Sequence, residues 1–401
     1  MAKNKEFGRS LRGDKKKEFE QKLADDFISK IREGEVNGWS KGWKMLGGDT
    51  MPHNHKGRPY SGVNTVILWL SGMEYESNTW ATYHGWKEES RKHAIKEGKF
   101  ETKISRKGEP YKHTTEWYGV QKGQTGTSIV LYKPMGLRAG ERKNKTTGET
   151  EEYMYQSLMM RVFEVFNRDQ TGLPRIPKEE IDLTADEFAE NELNLENCLN
   201  YYVDNPNRVA KAIGDIMPDG QKATEAQWVM RKGRIELKHG GDRAFYTSSR
   251  DRIALPLHEQ FEDNANYLSV KGHEIIHSTG HPLRLNRALG NRFGSEDYAK
   301  EELIAEFGTA FLLGNFNIQG ELRNVEYINN WATVLSKEPR FLTTAAQKAQ
   351  KAVNYILEPW QQNVENIEIS IEEALRRVGD RSIMVDELGA LRATELMEEE
   401  E

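Results

Sequence analysis

The chain has 401 residues, more than one hydrophobic core usually supports, and its 37% hydrophobic and 30% charged content excludes wholesale disorder, so two folded domains are expected. A single cysteine, Cys198, excludes an internal disulfide and a cysteine-based zinc ribbon, and no stretch approaches 18 apolar residues, which points to a soluble protein of a reducing, cytoplasmic compartment with no membrane partner. The net charge of -6 hides an asymmetry: residues 1–175 hold 32 Lys and Arg against 23 Asp and Glu, the remainder 25 against 40, a split expected of a protein whose first half meets nucleic acid.

The first segment, MAKNKEFGRSLRGDKKKEFEQKLADDF, is of mixed charge and lacks the apolar stretch of a signal peptide. Phe19, Leu23, Phe27 and Ile31 recur at four-residue steps and predict an amphipathic helix over 15–33. The turn-rich MPHNHKGRPYSGVN leads into an apolar run, Val63 to Leu70, that fits helix or strand. A helix is expected around 80–98, and 100–165 reads as strands (EWYGV, TSIVLYK, LMMRVFEVF) separated by glycine turns. Basic and aromatic residues interleave here, and a cationic groove lined by flat rings is how proteins hold single strands. The candidate groove residues are Arg58, Tyr60, Trp69, Lys122, Lys133, Arg161 and Phe163. The alternative places these rings in the core and the charges on a solvated sheet.

An acidic stretch opening with Pro177 marks a connection, and the expected division is 1–175, a linker at 176–190, a second domain at 191–360 and an acidic extension at 361–401. In the second domain AFYTSSRDRIALP reads as two short strands, followed by a helix that ends in GHEIIHSTGHP. Gly280 is expected to take the left-handed conformation that stops a helix, with Pro282 barring continuation. His273 and His277, four apart, can point both imidazoles at one ion, and Glu274 beside them suits a general base; this is the H-E-x-x-H zincin signature. One Zn²⁺ per chain is expected, and it requires a third protein ligand. The helical segment SEDYAKEELIAEFGTAFLLGNF carries Glu301, Glu302 and Glu306; Glu302 and Glu306 share a face, so one can reach the metal while the other orients a ligand histidine. His281 is the rival third ligand.

In combination, PHNHKGRPYSGVN, VQKGQTGTSIVLYK and RVFEVFNRDQTGLP in the first half with RDRIALP, GHEIIHSTGH, EELIAEFGTAFL and YINNWATVLSKEP in the second resemble ArdC-type antirestriction proteins of conjugative plasmids and phages. The resemblance covers most of residues 20–358. It implies an α+β chain of two domains, an N-terminal single-stranded-DNA-binding domain and a C-terminal zincin-like metallopeptidase domain, acting in the bacterial cytoplasm. It also implies His273 and His277 as metal ligands, Glu274 as base, Glu302 as third ligand and Glu306 behind it, with an unidentified protein as substrate. Three segments depart from the pattern: apparent insertions near 88–115 and 185–225, and the extension after 360. On this reading the strand Arg252 to Leu255 pairs with an extended substrate and Tyr246 donates to the oxyanion. The competing reading is a protein that coats incoming single strands, its zincin domain structural or inactive.

Overall fold

The computed structural model describes residues 9–11, 13–36, 51–143, 150–175, 184–211, 227–230, 233–289, 294–318 and 328–365. Residues 176–183 of the expected linker and the acidic extension beyond 365 lie outside the described residues; the rest of that linker includes the start of a helix.

The first helix, α1 (Asp14–Val36), buries Leu23 and Phe27 as the four-residue spacing predicts. The ambiguous apolar run is α2 (Val63–Gly72), with seven of its ten residues buried. A helix can bury almost all its sides only when partners surround it, which explains why no period showed in its sequence. Five strands form the N-terminal sheet: β1 (Arg9–Leu11), β2 (His53–Asn54), β3 (Thr79–Thr82), and the long antiparallel pair β6 (Thr127–Lys143) and β7 (Thr150–Asn167). Both β1 and β3 pair antiparallel with β7, and β2 runs parallel to β3. Asn64 locks α2 onto this sheet: its side chain donates to Val130 O at 2.7 Å and accepts from Val130 N at 2.9 Å. Between β3 and β6 come α3 (Tyr83–Lys96), whose N-cap Thr82 accepts from Gly85 N, and a separate hairpin of β4 (Phe100–Ile104) and β5 (Pro110–Thr114).

The second half begins with α4 (Ala185–Asp204), opened by a capping box between Thr184 and Glu187. A two-stranded pair, β8 (Arg208–Lys211) and β9 (Gln227–Met230), precedes a three-stranded sheet of β10 (Glu236–His239), β11 (Phe245–Thr247) and β12 (Arg252–Leu255). Then come α5 (Asn264–Thr279), α6 (Glu296–Asn315), α7 (Ile328–Lys337) and α8, helical over 341–365.

The two halves keep separate sheets but share one core. The edge of Phe27 meets the Phe307 ring with centroids 5.5 Å apart, and Trp69 tilts against Phe311 at 5.6 Å, so α1 and α2 pack directly on α6. Gly62 N donates to Gln350 Oε1 at 3.1 Å, carrying the contact on to α8.

Candidate metal centre and nucleic-acid interface

Helix α5 starts where Asp263 accepts from Asn266 N at 2.7 Å. Its end differs from expectation. Gly280 has φ -75°, an ordinary right-handed value, so left-handed freedom is not why glycine stands there. The reason is steric: a Cβ at 280 would lie 2.9 Å from Leu289 Cδ2 and 3.1 Å from Arg287 Nη2, so glycine lets the returning loop pack across the helix end. Helix α6, capped by Ser295, crosses α5 where Gly308 meets Ile276; a Cβ at 308 would come within 2.8 Å of Ile276 Cγ2. This close approach brings the carboxylates of α6, within the two turns before Gly308, onto the histidines.

His273 Nε2 and His277 Nε2 face each other at 3.1 Å. Glu302 spans both, Oε2 lying 3.4 Å from His273 Nε2 and Oε1 3.4 Å from His277 Nε2. Each residue offers one donor atom, and the three lie within 4.8 Å of one another. The opposite ring nitrogens have their own carboxylates: His273 Nδ1 lies 3.5 Å from Glu306 Oε1, and His277 Nδ1 3.3 Å from Glu301 Oε1. Glu301 is gripped in turn by Arg287, whose Nε and Nη2 reach it at 3.1 and 2.8 Å. The Arg287 fork also bonds Thr279 Oγ1 and Ile276 O, each at 2.7 Å, so the loop after α5 is tied to both helices.

The electrostatics follow from burial and these contacts. Burial alone would favour neutral imidazoles, but the carboxylates outweigh it: Glu306 and Glu302 raise the pKa of His273, and Glu301 and Glu302 raise that of His277 well above its ordinary value. Burial works against the Glu302 carboxylate too, yet the two histidines hold its pKa well below the usual range. Glu274 is raised by burial, and the Tyr246 main-chain N–H donates to its carboxylate. Four buried carboxylates, two imidazoles and one guanidinium form the cluster, and a divalent cation is the charge such a donor set fits.

The structure corrects the expected substrate strand. β12 (Arg252–Leu255) is the middle strand, parallel to β10 on one side and antiparallel to β11 on the other, so neither of its edges is open. Tyr246 also departs from its expected role: its hydroxyl donates to Asp251 Oδ1 at 2.8 Å, and Asp251 accepts from Arg284 Nη1 at 2.9 Å. Burial, aided by Asp251, raises the Tyr246 pKa. That hydroxyl is committed to the β11–β12 turn, and the residue reaches the site through its backbone. The rival ligand His281 uses Nδ1 to accept from Leu283 N at 3.2 Å. Glu301 was visible in sequence without a role, and Arg287 was missed; no local pattern distinguishes it from any basic residue in a loop.

The proposed groove residues fall into two groups. Trp69 is a correction: it is 4% exposed and packs on Phe311, so no base can reach its face. Tyr60 packs against the same core, its hydroxyl directed at Trp80 O and its pKa pushed up to about 12 by burial. Phe163 is also partly buried there. Arg58, Lys122 and Lys133 are exposed, and Arg161 is half-buried. The β6–β7 register sets Lys133 opposite Met159, Leu131 opposite Arg161 and Ile129 opposite Phe163. Because cross-strand partners share a face and alternate residues return to it, Lys133, Arg161 and Phe163 lie on one side of the ribbon, with the exposed Leu131. Nothing in the register joins Arg58 or Lys122 to that face.

Two family models match the chain. Residues 17–166 match the N-terminal domain of anti-restriction factor ArdC, and residues 224–348 match the zincin-like metallopeptidase family. The chain is 25% identical to the antirestriction ArdC protein from plasmid R388 in its metal-free crystal structure, covering 84% of this chain and 96% of that one at a TM-score of 0.51. The Mn(II)-bound structure of the R388 protein is similar in fold, at 24% identity over 84% of this chain and 97% of that one, with a TM-score of 0.52. Among curated proteins, the DNA primase TraC of Escherichia coli is 29% identical over 85% of this chain, and the uncharacterized protein y4eC of Sinorhizobium fredii 24% identical over 75% of this chain and 78% of its own length. The chain spans 27% of the length of that primase.

Proposed function

Because the chain joins an ArdC N-terminal domain to a zincin-like metallopeptidase domain, and so belongs to the ArdC-type antirestriction proteins, we propose that its first half binds single-stranded DNA and its second half hydrolyses peptide bonds at a metal held by His273, His277 and Glu302. The carrying observation is the convergence of two Nε2 atoms and one carboxylate in a buried cluster, with a further carboxylate behind each imidazole. Outer carboxylates of this kind fix the orientation of ligand histidines and raise their basicity. A divalent ion held by these three residues would supply Lewis acidity there. Zn²⁺ is the ion proposed from the domain family; the R388 protein was solved with Mn(II) bound.

Glu274, adjacent to the first ligand and held by the Tyr246 N–H, takes the proton from the attacking water and returns it to the leaving amine. β11 (Phe245–Thr247) is one of the two edges of its sheet among the described residues and carries the Tyr246 N–H that meets Glu274, and an extended peptide of an unidentified protein substrate would add to it. On the first half, Lys133, Arg161 and Phe163 offer phosphate and base contacts from one face, with Arg58 and Lys122 as further exposed cations. The setting proposed is the cytoplasm of a bacterial host, and no helix among the described residues is long and apolar enough to cross a membrane.

The shared core favours a second reading. Phe307 and Phe311 on α6 complete the burial of Phe27 and Trp69, so the zincin helices support the first half whether or not they catalyse. A strand-coating protein with a structural zincin domain fits that fact. Restriction protection in cells separates the two. Glu274→Gln keeps stoichiometric metal by elemental analysis in both readings; the peptidase reading expects protection to vanish in this variant, and full protection assigns the function to coating. A double Lys133→Ala, Arg161→Ala variant loses protection under the coating reading.

A further inference from the structure

Tyr83 opens α3, and Trp117 lies three residues beyond the β4–β5 hairpin. Their rings stack, with centroids 5.8 Å and planes 28° apart. Large rings that stack on each other are usually buried, yet Tyr83 is 49% and Trp117 44% exposed. The pair is also held in place. Trp117 Nε1 donates to Val120 O at 3.0 Å, and its indole lies so close over residue 119 that a Cβ there would sit 2.4 Å from it, a cradle only Gly119 can form. Tyr118 N donates to Ser90 Oγ at 2.8 Å and binds the Trp117 segment to α3.

Beside this pair stands the hairpin β4–β5. It pairs with no other strand among the described residues and is exposed along nearly its whole length. A two-stranded ribbon without a core has little reason to exist for stability. Its charge suggests another: residues 83–122 hold ten Lys and Arg against six Asp and Glu, with Arg106 and Lys107 exposed at the turn. Tyr111 is exposed opposite Lys103.

The geometry points to Tyr83 and Trp117 as a stacking platform for an unpaired base of single-stranded DNA, the hairpin cations neutralising the flanking phosphates. A base inside a duplex already has both faces covered, so exposed rings select single strands. This inference rests on the single-strand reading of the first half and adds a site distinct from the β6–β7 face.

The test uses the full chain and a fluorescein-labelled oligothymidylate of about 20 nucleotides, read by anisotropy. Tyr83→Ala and Trp117→Ala should each weaken binding about tenfold, while Tyr83→Phe and Trp117→Phe keep the affinity within about twofold, since the ring is what matters. An oligonucleotide carrying 5-iodouracil should crosslink to Tyr83 or Trp117, located by mass spectrometry; this readout holds even where an alanine variant fails to fold. Folded alanine variants that bind like the parent, or crosslinks found only elsewhere, overturn the platform and leave the single-strand reading intact. If the parent binds no single strand at low salt, both fall together.

Discussion

Glu302 and Glu306 lie on the same face of α6 and differ in which imidazole nitrogen they meet. Glu302 faces the two Nε2 atoms that look at each other, and Glu306 faces the outer Nδ1 of His273. Loss of a ligand and loss of an orienting partner have different consequences. Glu302→Ala should leave dialysed protein without stoichiometric metal, whereas Glu306→Ala should retain binding at an affinity about 10–100-fold lower. Metal titration of both variants decides; the reverse order would move Glu306 into the ligand position. Arg287 acts one contact further out, and its fork onto Glu301, Thr279 and Ile276 shows how much of this cluster is built from groups standing behind the proposed ligands.

At the level of elements, the site exists because α5 and α6 approach closely at one point. Gly308 leaves no room for a methyl group, three side-chain carbons of Ile276 lying 2.8 to 3.0 Å from where its Cβ would be. Gly308→Ala should therefore push the helices apart. The overpacking is expected to cost about 1–3 kcal/mol in urea unfolding, and because the proposed ligands sit on both helices, metal affinity should fall with it. Affinity that is unchanged despite lost stability would mean that the crossing yields without moving Glu302. The strand order matters in the same way: with β12 in the centre of the sheet, β11 stands at an edge, and its Tyr246 N–H donates to Glu274.

For the whole molecule, the shared core predicts cooperative loss of both halves. Phe27 is fully buried on α1 and meets Phe307 on the helix that carries the carboxylates. Phe27→Ala should destabilise the protein by about 3–5 kcal/mol. In a denaturant titration, tryptophan fluorescence and release of bound metal should move to lower denaturant together. Two separated transitions would show that the halves unfold independently and that the aromatic contacts between them add little.

Much of this was legible in the chain itself. The four-residue spacings of α1, of His273 and His277, and of Glu302 and Glu306 express the helix repeat, a local property that holds wherever the helix packs. The family resemblance carried by the ordered motifs is matched by both domain families. Other features depended on elements distant in sequence. Trp69 was assigned to the groove with the basic and aromatic residues of the first half and is buried because Phe311 covers it. Gly280 carried the mark of a left-handed helix stop, yet serves the close passage of Leu289. Burial, strand order and the nitrogen each carboxylate faces are properties of pairs brought together by packing, and no local spacing encodes the partner.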